Sequence, residues 1–191
     1  MSKDVSTKKY VWVITVVAML ALSLAVVYLS RNYYIAELGK YDTPVEVAFT
    51  VASVEDIDIS GMSADKYDVR AAQKAFDQDG NLVAYVIEST AVGFNSAKEI
   101  VVASTITADG SVLAGINVLE QSETEYFGAR ISTTMFTDRF TGRYLPVMLT
   151  GESGRGAHVD ALSKSTISST AVVKAVDNAY EFLKTEILNE N

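Results

Sequence analysis

The chain has 191 residues, no cysteine, one histidine and a formal net charge of −8. This length accommodates one ordinary domain with a short additional segment, and two full domains are not expected. Because the chain has no cysteine, disulfides, thiolate metal sites and cysteine-held iron–sulfur clusters are excluded on it. The single histidine excludes a multi-histidine metal site. The negative net charge disfavours nucleic-acid binding.

Residues 10–30 are predicted to form a transmembrane anchor. The segment 10–29 contains no charged residue, and twenty helical residues at about 1.5 Å each span about 30 Å, the thickness of a hydrocarbon core. The apolar stretch exceeds the roughly 7–15 residues of a signal peptide, and no small-x-small cleavage site follows it. We therefore interpret it as an uncleaved anchor. The alternative, a core helix of a soluble protein, would need a large protein to cover it on all sides.

The flanking charges predict the orientation of this anchor. Residues 1–9 carry three lysines and one aspartate, so the positive-inside rule makes this segment a cytoplasmic tail. From residue 31 onward the chain holds 13 basic and 23 acidic residues. The sequence thus predicts a single-pass cell-membrane protein with an acidic extracytoplasmic part.

Residues 31–68 are interpreted as a connector whose first ten residues continue as helix, and the prolyl residue Pro44 interrupts that helix. Its remainder is acidic and weakly patterned.

Residues 69–191 are interpreted as one domain. In 69–120 four runs are predicted to be strands, two of them joined at Asp109–Gly110 and two at Asp79–Gly80, because glycine takes the positive φ that tight hairpins need.

The remainder of the domain reads as helix, loop and helix. A helix is predicted near 132–140 with Ser132 as its cap, followed by a glycine-rich loop with a short strand at 144–149. Apolar residues then recur at helical spacing from Val172 to Ile187. The predicted fold class is α+β, with one N-terminal transmembrane helix, an antiparallel sheet and a C-terminal helix.

Six hydroxyl side chains occupy the eight positions 163–170, at the start of the last helix. Serine and threonine cap helices by accepting hydrogen bonds from free N–H groups, yet one or two would suffice. The converging N–H groups and the helix dipole also favour a phosphate at this point. Capping and the binding of a phosphate-bearing cofactor are both open from the residues alone.

The spacing Asp160-x-x-Ser163-x-x-Thr166, followed by an amphipathic helix, resembles a known motif. It is similar to the flavinylation motif Asp-x-x-(Ser/Thr)-Gly-Ala-Thr of FMN-binding domains in the Rnf and Nqr respiratory complexes. Residues 84–124 resemble the strands of that family, which lead into Glu-Thr-Pro-Gly-Leu-Gly, and 136–145 resemble its aromatic and basic segment. The likeness covers about 69–188, and the short chain is most like the G subunit of Rnf electron transport complexes.

The resemblance implies that the FMN phosphate is esterified to Thr166 by a separate flavin transferase that takes FMN from FAD. It implies no catalytic residue and no metal ligand in this chain, and it makes Ser168 and Ser169 phosphate or cap contacts. The cofactor-binding residues it implies are Glu123, Thr124, Gly128, Asp160, Ser163, Lys164, Ser165, Thr166, Ile167, Ser168 and Ser169.

Two departures from the family pattern stand out. Lys164 and Ser165 replace Gly-Ala, and Glu125 and Tyr126 replace Pro-Gly. If the motif glycine has a positive φ, Lys164 is strained there at a cost of order 1 kcal/mol. The same lysine could supply a cation to the phosphate.

The resemblance further implies a membrane-anchored electron-transfer subunit of an ion-translocating ferredoxin:NAD⁺ oxidoreductase (Rnf) complex, a redox subunit and not a stand-alone catalyst. Its partners would be the other membrane subunits of that complex. Three alternatives are the C subunit of an Nqr-type NADH:quinone oxidoreductase, a flavinylated extracytoplasmic carrier outside a pump, and a non-redox membrane-tethered binding domain whose hydroxyls only cap a helix.

Overall fold

A computed structural model describes residues 3–189 of the chain, with the side chains of 12–31, 33 and 39–189. The internal contacts divide the chain into two units, 1–40 and 41–191. The first element is the 40-residue helix α1 (Lys3–Asp42). It ends two residues before Pro44, as the restriction on residues preceding proline predicts.

One segment of α1 has the length and composition of a membrane span. Among the described residues, only Trp12–Arg31 forms a helix apolar enough to cross a bilayer, with a mean hydropathy of 2.5 and no buried residue. Leucine, valine and methionine side chains throughout this segment are more than one third exposed. A helix apolar on all sides is typical of a lipid environment and not of a protein surface in water.

The second unit is built on a six-stranded antiparallel sheet in which the strands neighbour each other in chain order. The strands are β1 (Ser53–Asp56), β2 (Val69–Phe76), β3 (Leu82–Val92), β4 (Glu99–Thr107), β5 (Val112–Glu120) and β6 (Arg143–Tyr144). The four strands predicted in 69–120 are β2 to β5. Gly80 and Gly110 have φ of 79° and 74° in the connecting turns, which is the conformation for which glycine is preferred.

A short helix and a second pair of strands lead to the last helix. The short helix is α2 (Thr134–Thr137), the strand β7 (Val147–Leu149) pairs in parallel with β8 (Ala157–Val159), and the last helix is α3 (Thr166–Phe182). Single turns of 3-10 helix lie at Ala64–Tyr67, Gly128–Ser132 and Asp138–Phe140, and a π-helical turn, Leu183–Ile187, extends α3.

The core lies between α3 and the sheet. Along β4 the residues Ile100, Val102 and Ile106 are fully buried. Val172 and Phe182 of α3 are fully buried as well. Each such side chain stabilises the fold by roughly 1.5–3 kcal/mol. The α+β fold class, with an N-terminal apolar helix, an antiparallel sheet and a C-terminal helix, is confirmed.

The structure differs from the sequence predictions at three short elements. Residues 132–140 form separate turns and not one helix, and Ser132 does not cap it, because its hydroxyl donates to the carbonyl of Ala129 (2.8 Å) in the preceding turn. The connector contains the edge strand β1. The predicted strand at 144–149 is divided between β6 and β7 at Pro146, which has no N–H to donate to a ladder.

Candidate functional site

A cavity of about 460 Å³ opens where the loop after β3, the segment after β5 and the start of α3 meet. Its volume lies in the usual range for ligand pockets, roughly 300–1,000 Å³. Eight of the eleven residues that the resemblance implies line it, together with two aromatic residues that sequence reasoning did not select. The lining residues are Phe94, Glu123, Thr124, Phe127, Gly128, Lys164, Ser165, Thr166, Ile167 and Ser168.

The start of α3 has no side-chain cap. Ser165 occupies the N-cap position with φ −139° and ψ 34°, outside the extended conformation that capping residues adopt, and it makes no side-chain hydrogen bond to the helix. Its side chain is only 5% exposed, and the hydroxyl oxygen is buried without a partner among the described residues. The capping interpretation of the hydroxyl cluster is therefore wrong for the residue that holds the cap position.

Two further hydroxyls of the helix start, those of Ser169 and Thr170, are engaged in hydrogen bonds. Ser169 accepts a hydrogen bond from the N–H of Leu162 (3.0 Å) and donates to the carbonyl of Ser165 (2.9 Å). Thr170 donates to the carbonyl of Thr166 (2.9 Å). Ser169 is thus turned to the preceding loop and does not line the cavity.

Thr166 is the first residue of α3 and is exposed at the cavity. In the part of the chain that the structure describes, its hydroxyl has no hydrogen-bond partner, whereas its carbonyl accepts the bond from Thr170. Thr166 therefore presents a free hydroxyl at the positive end of the helix dipole.

Glu123 is a buried carboxylate in the cavity wall, 7% exposed. Its Oε1 accepts a hydrogen bond from the N–H of Asn95 (3.0 Å). Its Oε2 accepts from the N–H of Phe94 (3.2 Å) and from the hydroxyl of Ser168 (2.5 Å). A Cβ on Gly128 would lie 2.7 Å from both Glu123 Oε2 and Ser168 Oγ, so this position requires glycine for close approach.

Two residues at the site have left-handed backbone conformations. Lys164 has φ 63° and Tyr126 has φ 66°, and both stand where the family motifs carry glycine. A non-glycine residue is disfavoured in this region by roughly 1 kcal/mol. The expectation of a positive φ at Lys164 is confirmed, and Tyr126 keeps the backbone conformation to which the motif glycine is suited.

Asp160 and Ser163 do not line the cavity. The Asp160 carboxylate accepts a hydrogen bond from the hydroxyl of Thr150 (2.7 Å), and Arg139 donates to the carbonyls of Asp160 (2.7 Å) and Ala161 (3.3 Å). These contacts hold the segment between β8 and α3. Both residues are exposed.

Asp42, at the end of α1, is bound to strand β8. Its Oδ1 accepts a hydrogen bond from the backbone N–H of His158 (2.8 Å) and lies 3.0 Å from the ring Nδ1 of the same residue. The backbone bond from His158 lowers the pKa of Asp42, more than its partial burial raises it. Sequence reasoning had no signal for this pair, because 116 positions separate the two residues.

Known proteins are similar in sequence to this chain. A family model described as an FMN-binding domain matches residues 93–181. The G subunit of the ion-translocating oxidoreductase complex of Methanosarcina acetivorans is 32% identical over 97% of each chain. The G subunit of the proton-translocating ferredoxin:NAD(+) oxidoreductase complex of Clostridium ljungdahlii is 29% identical, covering 69% of this chain and 68% of the relative.

Solved structures support the fold. NqrC of Shewanella oneidensis has a TM-score of 0.52 and 23% identity, covering 60% of this chain and 58% of that one. The C subunit of the Na(+)-translocating NADH-quinone reductase of Parabacteroides distasonis has the same TM-score and 18% identity, covering 70% and 76%. The near-complete match to the Methanosarcina relative shows that the chain belongs to the family of G subunits of ion-translocating oxidoreductase complexes, and its residues 93–181 match the FMN-binding domain of that family model.

Proposed function

We propose that this chain is a membrane-anchored electron-transfer subunit that carries FMN through a phosphoester on Thr166. One observation carries the proposal. Among the hydroxyls of the first turn of α3 that line the cavity, Thr166 alone is both exposed and without a hydrogen-bond partner among the described residues, since Ser168 is bound to Glu123 and Ser165 is buried.

The residues around Thr166 fit a phosphate. The uncapped helix start supplies free N–H groups and the positive end of a dipole, worth about 0.3–1 kcal/mol to an anion near the surface. The buried hydroxyl of Ser165 lacks a partner among the described residues, and the exposed side chain of Lys164 offers a cation beside it. Phe94, Phe127 and Ile167 give the rest of the cavity an apolar character suited to a flavin ring.

Attachment requires an activated threonine, because a free hydroxyl is a weak nucleophile. The Thr166 oxygen would form a bond to the phosphorus of the FMN half of FAD, the pyrophosphate bond would break, and AMP would leave. The hydroxyl proton would pass to the flavin transferase, since no described side chain binds this hydroxyl. When bound, FMN supplies one- and two-electron transfer, and the chain supplies position and electrostatics.

We place the chain in an ion-translocating ferredoxin:NAD⁺ oxidoreductase (Rnf) complex together with the other membrane subunits of that complex. The names of the relatives support this assignment. Trp12–Arg31 would anchor the chain in the cell membrane, and the lysines of residues 1–9 favour a cytoplasmic N-terminus with the FMN-binding domain outside.

The attachment is tested by producing the full chain in cells that contain a flavin transferase. The wild-type band should fluoresce in a denaturing gel and have the added mass of FMN less water. Thr166→Ala should abolish both signals, whereas Thr170→Ala, which removes a hydroxyl bound only to a helix carbonyl, should retain them. A colourless wild-type chain overturns the proposal, and a fluorescent Thr166→Ala chain overturns the attachment site.

Orientation and assembly need separate measurements. Because the chain has no cysteine, single-cysteine variants such as Ser2→Cys and Asp79→Cys give unique labelling sites. A membrane-impermeant maleimide applied to intact cells should label the Asp79→Cys chain only, and the reverse pattern refutes the proposed orientation. Purification from native membranes should retain polytopic subunits, whereas recovery of the flavinylated chain alone would favour a carrier outside a pump.

A further inference from the structure

We propose that Glu123 is a positioning residue, which ties the loop after β3 to the start of α3 and adds a fixed negative charge to the cavity wall. The inference rests on the proposed function for its effect on a bound flavin, but its structural part concerns this chain alone. The family resemblance placed Glu123 beside the cofactor as a direct contact. The structure instead gives its oxygens three partners within the protein.

The geometry links three segments that are distant in sequence. Glu123 follows β5, its backbone donors belong to Phe94 and Asn95, and its hydroxyl donor is Ser168 of α3, 45 positions away. Asn95 also donates through Nδ2 to the carbonyl of Ser122 (2.7 Å). The loop after β3 therefore has two ties to the segment after β5, whereas the Ser168 hydroxyl bond is the side-chain link to α3.

The chemistry of this position requires a carboxylate. An ionised carboxylate is acceptor-only and offers about four lone-pair positions, of which three are used here. A glutamine has the same shape, but each of the two oxygen positions faces a backbone N–H. Whichever way the amide turns, its NH₂ group opposes one of these donors and leaves a part-buried N–H without an acceptor.

The bond from Ser168 also determines what the cavity presents. Because Ser168 donates its only proton to Glu123, its oxygen remains an acceptor on the cavity side. The wall at this point thus carries a negative charge and an acceptor oxygen. A negative charge beside a bound redox group opposes the addition of an electron, more strongly in a partly buried site than in water.

The structural part is tested on the full chain in detergent, in the Thr166→Ala background that carries no flavin ester. Hydrogen exchange at the amide of Phe94 or of Asn95 should accelerate about tenfold or more in Glu123→Gln, because one of these two part-buried hydrogen bonds loses its acceptor. The control Glu125→Gln, at an exposed neighbouring glutamate, should leave these rates unchanged. Unchanged exchange in Glu123→Gln overturns the proposal, whether or not the wild type binds FMN.

The charge effect is tested on the flavin-loaded full chain by spectroelectrochemical titration. Glu123→Gln should shift the midpoint potential to a more positive value and alter the visible flavin spectrum, and Glu125→Gln should leave both unchanged. If Glu123→Gln does not fold, Ser168→Ala tests whether Glu123 holds the start of α3. It keeps the charge, so it should increase amide exchange at Ser169, whose N–H donates to the carbonyl of Ser165 (2.9 Å), while shifting the potential little, and unchanged exchange there overturns the link to α3.

Discussion

Asp177 in α3 is a half-buried acid whose ionisation opposes folding. Burial raises its pKa from 3.8 to about 7, against the effect of a hydrogen bond from the N–H of Val147, and the nearby carboxylates of Glu181 and Glu152 raise it further. Its Oδ1 is buried and has no partner among the described residues. We expect Asp177→Asn to stabilise the protein above neutral pH.

The magnitude follows from the pKa difference between the folded and unfolded chain. That difference is about three pH units, and at 1.36 kcal/mol per unit it corresponds to about 4 kcal/mol as an upper value. Because the folded state holds the proton more tightly, stability falls as the pH rises from about 4 to about 7 and is constant above that range. An asparagine removes this loss but buries an NH₂ group without an acceptor, at about 1–3 kcal/mol.

The net expectation is a gain of about 1–3 kcal/mol at pH 8 and no gain at pH 5. Denaturant unfolding of the full chain in detergent, followed at pH 5, 6, 7 and 8 by near-ultraviolet circular dichroism, measures it. Fluorescence of Trp12 is unsuitable, because this only tryptophan lies in α1. If wild type and Asp177→Asn differ by the same amount at all four pH values, the reasoning is refuted. Asp65→Asn, at an exposed site, is the control.

Two further predictions concern the backbone and the end of α1. Lys164→Gly should raise the free energy of unfolding by about 1 kcal/mol, because it relieves a left-handed conformation, and Lys164→Ala, which keeps that conformation, should not. Asp42→Asn should lower stability at pH 6 by less than about 1 kcal/mol, since the carboxylate is largely exposed. The lowered pKa of Asp42 makes its contribution complete above 3.8, and it is lost as the pH falls through the folded-state value. A gain in the Lys164→Ala chain equal to that in the Lys164→Gly chain contradicts the prediction for Lys164. Equal unfolding free energies of the wild type and Asp42→Asn at pH 6 contradict the prediction for Asp42.

The longer elements of the fold could be predicted from local patterns. The strands β2 to β5 are apolar runs separated by turn residues, with Asp-Gly between β2 and β3 and between β4 and β5, and α3 has helical apolar spacing from Val172 onward. The turns at 132–140 and the edge strand β1 are too short for a period to show. They depend on packing against other parts of the domain, which local sequence does not reveal.

The site could be predicted in part for a related reason. Motifs contiguous in sequence brought Thr166 and its neighbours to attention, because the first turn of α3 is a local structure. Phe94 and Phe127 line the cavity because separate loops meet there, and the bond between Glu123 and Ser168 joins residues 45 positions apart. No spacing rule relates such residues before the sheet and helix are assembled.

The uncapped start of α3 has a consequence for the maturation of the protein. A first helical turn that lacks an acceptor for its N–H groups is prone to fray, and the exposed Thr166 hydroxyl lies in this turn. Under the proposed function, the phosphate that is then attached becomes the missing acceptor. The cofactor would thus act as a covalent helix cap, and the chain that had received it would differ from the immature chain in local stability as well as in colour.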